Sequence, residues 1–188
     1  MHTRTTTGPG LPDDGVRLRP ATAQDAEFLT EMLLEAFNWD GPRFSRDEVL
    51  GRPRLAHYIT GWPRPGDFGV VAEDSAGRAV GGVWARRFPA DDPGYGYVDP
   101  QVPELTLGVL PGHRGRGVGS ALLDAVVDTA SRLGVERLSL SVEDGSRAVR
   151  LYRSRGFVKV GREGQSDTLL LRVGGEGARS AAELPYDS

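Results

Sequence analysis

The chain has 188 residues, 38% of them hydrophobic, with a formal net charge of −3 and no cysteine. That length suits one domain with tails at roughly 150 residues per domain, and the mild negative charge offers no electrostatic footprint for nucleic acid or an anionic membrane. The missing cysteines exclude a disulfide scaffold, a thiol nucleophile and thiolate metal sites.

Residues 1–14 are rich in Thr, Gly, Pro and Asp and read as a flexible leader, without the apolar core of a signal peptide. No run approaches the roughly 20 apolar residues of a spanning helix, so a cytoplasmic protein is expected. Val16 to Arg19 alternates apolar and basic residues and predicts a first strand, ended by Pro20. Thr22, with Asp25 three residues on, predicts a helix start, and Phe28, Leu29, Met32, Leu33 and Ala36 follow at helical spacing. Residues 38–68 are irregular and aromatic, with short helices expected at Ser45–Leu50 and Arg54–Thr60. Phe68–Glu73 and Ala79–Arg87 predict two strands joined by the turn Asp74-Ser75-Ala76-Gly77. Residues 89–103 form a long polar loop, of the kind that is usually functional or mobile. A strand at Glu104–Leu110, a helix at Val118–Leu133 closed by Gly134 and a strand at Leu138–Val142 come next. A helix at Ser146–Ser154 and strands at Phe157–Gly161 and Thr168–Val173 complete an α/β (α+β) sheet with helices on both faces. From 174 to 188 the composition predicts a flexible tail, leaving 15–173 as the folded domain.

The most informative stretch is Leu105 to Leu123, LTLGVLPGHRGRGVGSALL. It joins an apolar strand, a loop with three glycines and two arginines, and a helix. Such a junction points several backbone N–H groups at one spot, where the helix macrodipole adds about half a positive charge and phosphate binds readily. The known nucleotide loops fail here. Gly112 and Gly117 have Walker spacing, but Val118 stands where Lys must be, and the glycines do not fit G-x-G-x-x-G. What fits is Arg114-x-x-Gly117-x-Gly119. A second motif lies at residues 138–157, where an apolar strand runs into Glu-Asp-Gly-Ser and Ala148, Leu151 and Tyr152 share a helix face before Gly156-Phe157.

In these two motifs, in this order, the chain resembles the GNAT superfamily of acyl-CoA-dependent N-acyltransferases over about Val16 to Val173. The first carries that family's Arg/Gln-x-x-Gly-x-Gly/Ala hallmark, and the second its Ala-x-x-Leu-Tyr-x-x-x-Gly-Phe pattern. The customary Asn of the second motif is missing, with Gly145 and Ser146 near its place. The resemblance implies a mixed, mostly antiparallel sheet of six or seven strands in which two central parallel strands, 104–110 and 138–142, splay apart around acetyl-CoA. It implies that the backbone of Leu107, Gly108 and Val109 pairs with the pantetheine arm, and that the amides of Arg114, Gly115, Arg116, Gly117, Val118, Gly119 and Ser120 hold the pyrophosphate. Arg114 and Arg116 would add guanidinium contacts to phosphate, Ser146 a short side-chain contact to the arm, and Tyr152 packing against it.

Acyl transfer to an amine passes through a tetrahedral intermediate and needs three things: a base for the amine, a donor to the oxyanion, and an acid for the thiolate. Tyr152 is the expected acid, since a phenol of pKa about 10 is protonated at neutral pH. Val109 N–H is the oxyanion donor by resemblance. Glu104, which opens the central strand on the face shared with Thr106 and Gly108, is the expected base. As a carboxylate of ordinary pKa near 4.3 it needs a water relay or a neutral amine fraction to act on an alkylammonium of pKa near 10, and the competing reading is an ion-paired residue at the strand edge. His113 reads as a surface residue, and no His, Asp or Glu spacing indicates a metal. The expected function is therefore acetyl-CoA-dependent N-acetylation of a small amine or a protein amino group, and the resemblance leaves room for a homodimer, the assembly of many relatives. A non-catalytic acyl-CoA sensor with the same fold is the alternative.

Overall fold

Asp74 starts the sheet locally. Its Oδ1 accepts the N–H groups of Ala76 and Arg78, both at 2.9 Å, and Gly77 adopts φ +76°, so the expected turn closes a hairpin between β2 (Phe68–Glu73) and β3 (Ala79–Arg86). The computed structural model describes residues 15–174; the leader expected over 1–14, and the tail from 175 to 188, lie outside the described residues. Strands β1 (Arg17–Pro20), β4 (Glu104–Val109), β5 (Arg137–Glu143), β6 (Val158–Glu163) and β7 (Ser166–Arg172) complete a seven-stranded sheet in the order β1-β2-β3-β4-β5-β7-β6. Every neighbouring pair is antiparallel except β4–β5. This is the mixed sheet expected from the sequence.

Helices α1 (Ala26–Phe37), α2 (Arg46–Gly51) and α3 (Pro53–Ala56) cover one face, where Leu29, Met32, Leu33, Val49 and Trp84 are buried together. Helices α4 (Val118–Arg132) and α5 (Ala148–Ser154) cover the other, packing Leu122, Leu123, Val126 and Tyr152 onto Val70, Val83 and Leu140. Two glycines set how closely these layers meet. A Cβ on Gly82 would stand 2.8 Å from the Leu29 side chain, and one on Gly108 would stand 2.3 Å from the Met32 carbonyl oxygen. Helix α1 therefore rides directly on β3 and β4, beside the strand that opens at Glu104.

Besides shifts of one or two residues at other strand and helix ends, three element boundaries differ from expectation for an identifiable local reason. The Thr22–Asp25 box first forms a 3-10 turn, Ala23–Asp25, in which Asp25 Oδ2 accepts Thr22 N–H at 2.7 Å, and α1 proper begins at Ala26. The helix expected at Arg54–Thr60 shortens to α3 because the N–H groups of Tyr58 and Ile59 turn to the carbonyls three residues back, Leu55 O and Ala56 O at 3.4 and 3.0 Å, and side chains then hold the carbonyls of the turns that follow. Trp84 Nε1 donates to Tyr58 O at 2.9 Å, and Arg86 Nη1 donates to His57 O and Thr60 O at 2.8 and 2.9 Å. Helix α5 starts at Ala148 rather than Ser146, since Gly145 takes φ +82° and Ser146 Oγ accepts the Ala148 N–H at 3.3 Å.

Candidate active site

Strand β4 is paired along its whole length with β3, from Arg86↔Glu104 to Gly81↔Val109, but it meets β5 at one position, Glu104↔Ser139. Beyond that bridge the two parallel strands part. Leu110 N–H donates to Val80 O, which fixes the even-numbered residues of β4 as those bonded to β3. By strand alternation the N–H and C=O groups of Leu107 and Val109 point into the gap. A cleft of about 1050 Å³ opens there, lined by Leu107, Gly108, Val109, Glu104, Ser146 and Tyr152 among others.

The glycine loop stands at one end of this cleft. Gly115 and Gly117 adopt φ +71° and +83°, a region L side chains rarely enter, and Gly117 is the N-cap of α4. The first bond of that helix runs from Ala121 N–H to Gly117 O at 3.0 Å, so the amides of Val118, Gly119 and Ser120 have no partner within it. Arg114, Gly115, Gly117, Gly119 and Ser120 line the cleft. Arg116 and Val118 do not: the Val118 side chain packs in the core, and Arg116 lies with His113 and Asp74 around a separate small hollow. The guanidinium of Arg114 bridges the cleft wall, donating to Val109 O at 3.0 Å and to Glu35 Oε2 on α1 at 2.7 Å.

Glu104 sits at the closed end of the splay, 3% exposed. Its Oε1 accepts the Tyr58 hydroxyl at 2.6 Å and the Gly96 N–H at 2.9 Å, while Oε2 is buried with no hydrogen-bond partner among the described residues. The Tyr58 hydroxyl in turn accepts Tyr95 N–H at 2.7 Å. Burial pushes the Glu104 carboxyl up to about 7, against the opposing pull of Tyr58 and Gly96. The expectation of ordinary carboxylate acidity at Glu104 is thus corrected. Tyr152 projects from α5 into the same cleft with its ring edge-on to Phe157, and its hydroxyl makes no hydrogen bond among the described residues. Burial pushes its phenol up to about 12.

The family model described as "Acetyltransferase (GNAT) family" matches residues 27–157. The chain belongs to the GNAT acetyltransferase family. A mycothiol acetyltransferase of Saccharomonospora viridis is 34% identical over 154 residues, covering 81% of this chain and 48% of its own length. One from Propionibacterium freudenreichii is 40% identical over 145 residues, covering 77% and 43%. The chain spans about half the length of these curated relatives. Among solved structures, a GNAT superfamily phosphinothricin acetyltransferase from Sinorhizobium meliloti in complex with AcCoA aligns with a TM-score of 0.63 at 22% identity, over 85% of this chain and 89% of that one. That likeness is one of fold.

In this GNAT chain the place of the missing Asn is taken by Gly145, whose Cβ position lies 3.7 Å from the Trp39 ring. Trp39, from the segment after α1, donates its Nε1 to Glu143 Oε2 at 2.8 Å and stands in ordinary van der Waals contact with that position. Tyr58 and the 94–96 backbone are the site groups that sequence reasoning missed. The clue available was Gly94 and Gly96 inside an aromatic loop: a Cβ on Gly94 would stand 2.0 Å from Glu104 Oε2, and one on Gly96 2.5 Å from the Leu140 backbone. Among the described residues no group of three or more His, Asp or Glu is placed to hold a metal.

The raised carboxyl has a consequence for stability. Its folded value of about 7 lies above its ordinary 4.5, so burial of the charge costs stability once pH exceeds 4.5, increasingly up to 7 and fully above it. Glu104→Gln is expected to leave stability unchanged at pH 4.5 and to raise it by up to about 3 kcal/mol at pH 8.5. Chemical denaturation at the two pH values measures the difference. A variant less stable than the parent at pH 8.5 would mean that the carboxylate is well solvated in its pocket.

Proposed function

We propose that this domain, residues 15–173, transfers an acetyl group from acetyl-CoA directly to a primary amine within a ternary complex. The observation that carries the reading is the single-bridge splay of β4 from β5, which turns the backbone groups of Leu107 and the Val109 N–H into a cleft shared with the glycine loop, Glu104 and Tyr152, while Arg114 holds Val109 O. When bound, acetyl-CoA supplies the activated acyl group as a thioester. The amides from Gly117 to Ser120 cradle its pyrophosphate, and Leu107 and Val109 align the arm as an added strand. Arg114 leaves Val109 O to meet a phosphate. Val109 N–H faces the gap and steadies the developing oxyanion.

Glu104 takes the proton from the attacking amine. With its carboxyl near 7, the gap to an alkylammonium of pKa about 10 shrinks to roughly half of that facing an ordinary carboxylate. Tyr152 gives its proton to the departing sulfur. A phenol near 12 lies above a free thiol of about 8.5, but the burial that holds the phenol neutral disfavours the thiolate as well. Phe44, Leu55 and Tyr95 wall the far side of the cleft, where the acceptor amine would approach Glu104. The acetyl-CoA requirement goes with a cytoplasmic location, and a homodimer is the proposed assembly.

The test is melting with and without acetyl-CoA, with ATP as control. At about 100 times its dissociation constant the ligand contributes about 2.7 kcal/mol, which raises the midpoint by roughly 5–10 °C for a chain of this size. No shift at saturation sinks the proposal. A shift without thiol release across a panel of amines would support an acyl-CoA sensor instead.

A further inference from the structure

The direct neighbour of Glu104 on β3 is Arg86. Paired residues of adjacent strands put their side chains on one face with Cβ atoms about 4.5–5.5 Å apart, and both of these are buried, at 1% and 3% exposure. A buried carboxylate beside a buried guanidinium ordinarily pairs with it. Here it does not. Asp67, in the turn ahead of β2, takes the guanidinium fork: its Oδ2 accepts Nη2 at 2.6 Å and Nε at 3.2 Å, and its side chain is 2% exposed. The His57 and Thr60 carbonyls hold Nη1 at 2.8 and 2.9 Å. The guanidinium is thereby turned wholly toward Asp67 and the segment after α3. Glu104 is left with two neutral donors, the Tyr58 hydroxyl and the Gly96 N–H.

The other charged groups nearby stand at one remove from the Glu104 carboxyl. Glu163 on β6 contributes repulsion and itself pairs with Arg54 at 3.8 Å, Arg54 lies over the Tyr95 ring beyond Tyr58, and His57, paired with Asp92 at 3.1 Å, stands edge-on behind the Tyr58 ring.

We propose that Asp67 is a positioning residue of this site: it holds the Arg86 guanidinium away from Glu104, so that the carboxyl receiving the acceptor's proton has no cationic partner. This rests on the reading of Glu104 as the base. A guanidinium swung onto Glu104 would favour the carboxylate and make it a poorer proton acceptor for an ammonium group. Asp67 thus acts at one remove, through Arg86.

The experiment is a 13C NMR titration of Glu104 in protein labelled at the glutamate side-chain carboxyl, assigned by the signal lost in Glu104→Gln, beside pH profiles of kcat/KM. In Asp67→Asn the freed Arg86 is expected to lower the Glu104 midpoint from about 7 by about one to three pH units, with the acidic limb of the profile following it. Tyr58→Phe, which removes a donor to the carboxylate, should move both the opposite way. In the double variant Asp67→Asn/Arg86→Met, which removes both charges, the midpoint should stay at the parent value. A midpoint unmoved in Asp67→Asn, with only a lowered melting temperature, would overturn the proposal by making the pair merely structural. Should Asp67→Asn not fold, the double variant decides alone, since a rise in its midpoint would show that Arg86 already stabilises the carboxylate. A midpoint that moves while the kinetic limb stays put supports the withholding of Arg86 and overturns the role of Glu104 as base.

Discussion

Tyr152→Phe is expected to lower kcat by about 10²–10⁴-fold, the usual contribution of one general acid, with little change in KM for acetyl-CoA. The ring stays in place against Phe157, and the hydroxyl being removed has no hydrogen-bond partner among the described residues. The melting temperature should therefore hold, which separates chemistry from packing. Stopped-flow or coupled thiol assays at pH 7–8 measure the effect. A loss below about tenfold would make Tyr152 a packing residue, with solvent protonating the sulfur.

The second large effect concerns the proposed base. Glu104→Gln is expected to cost about 10²–10⁴-fold in kcat/KM at pH 7 and to lack the acidic limb expected of the parent near pH 7. The deficit should shrink as pH rises toward the ammonium value near 10, where the acceptor is neutral without help. That convergence is the signature of a lost base. A constant deficit at all pH values would point instead to lost acceptor binding, and an unchanged profile would remove Glu104 from the mechanism.

Where a function is built from backbone, the sequence announces it. The proposed phosphate cradle needs glycine at Gly115 and Gly117, since both adopt left-handed φ, and the helix behind it declares itself by the periodicity of Leu122, Leu123 and Val126. The strand–helix–strand unit holding Tyr152 is equally local. By contrast, Tyr58 reaches Glu104 across 46 residues of chain, and Arg86 reaches Asp67 across 19. Neither contact leaves a periodicity or spacing to read, because each depends on how the segment after α3 lies over β3. The same distance explains the misjudged acidity of Glu104. Its position at the head of β4 is legible, but its desolvation comes from Tyr58 and from Gly94 and Gly96, which no side-chain pattern couples to it. Arg116 misled for a simpler reason: in a loop of alternating glycine and arginine, residue type alone does not say which guanidinium faces the cleft.

The solitary Glu104↔Ser139 bridge makes the sheet two plates on one hinge. Strands β1 to β4 form one plate and β5, β7 and β6 the other, each closed by its own antiparallel ladders. Their ladders meet at that one rung while a shared apolar core of Val70, Val83 and Leu140 lies under both, and amide hydrogen exchange reads whether the two ladders open together or apart. An extended chain laid along Leu107 and Val109 splices them into one. In such a molecule the occupant of the gap is also the missing rung of the ladder, and the rigidity of the whole sheet becomes a readout of occupancy.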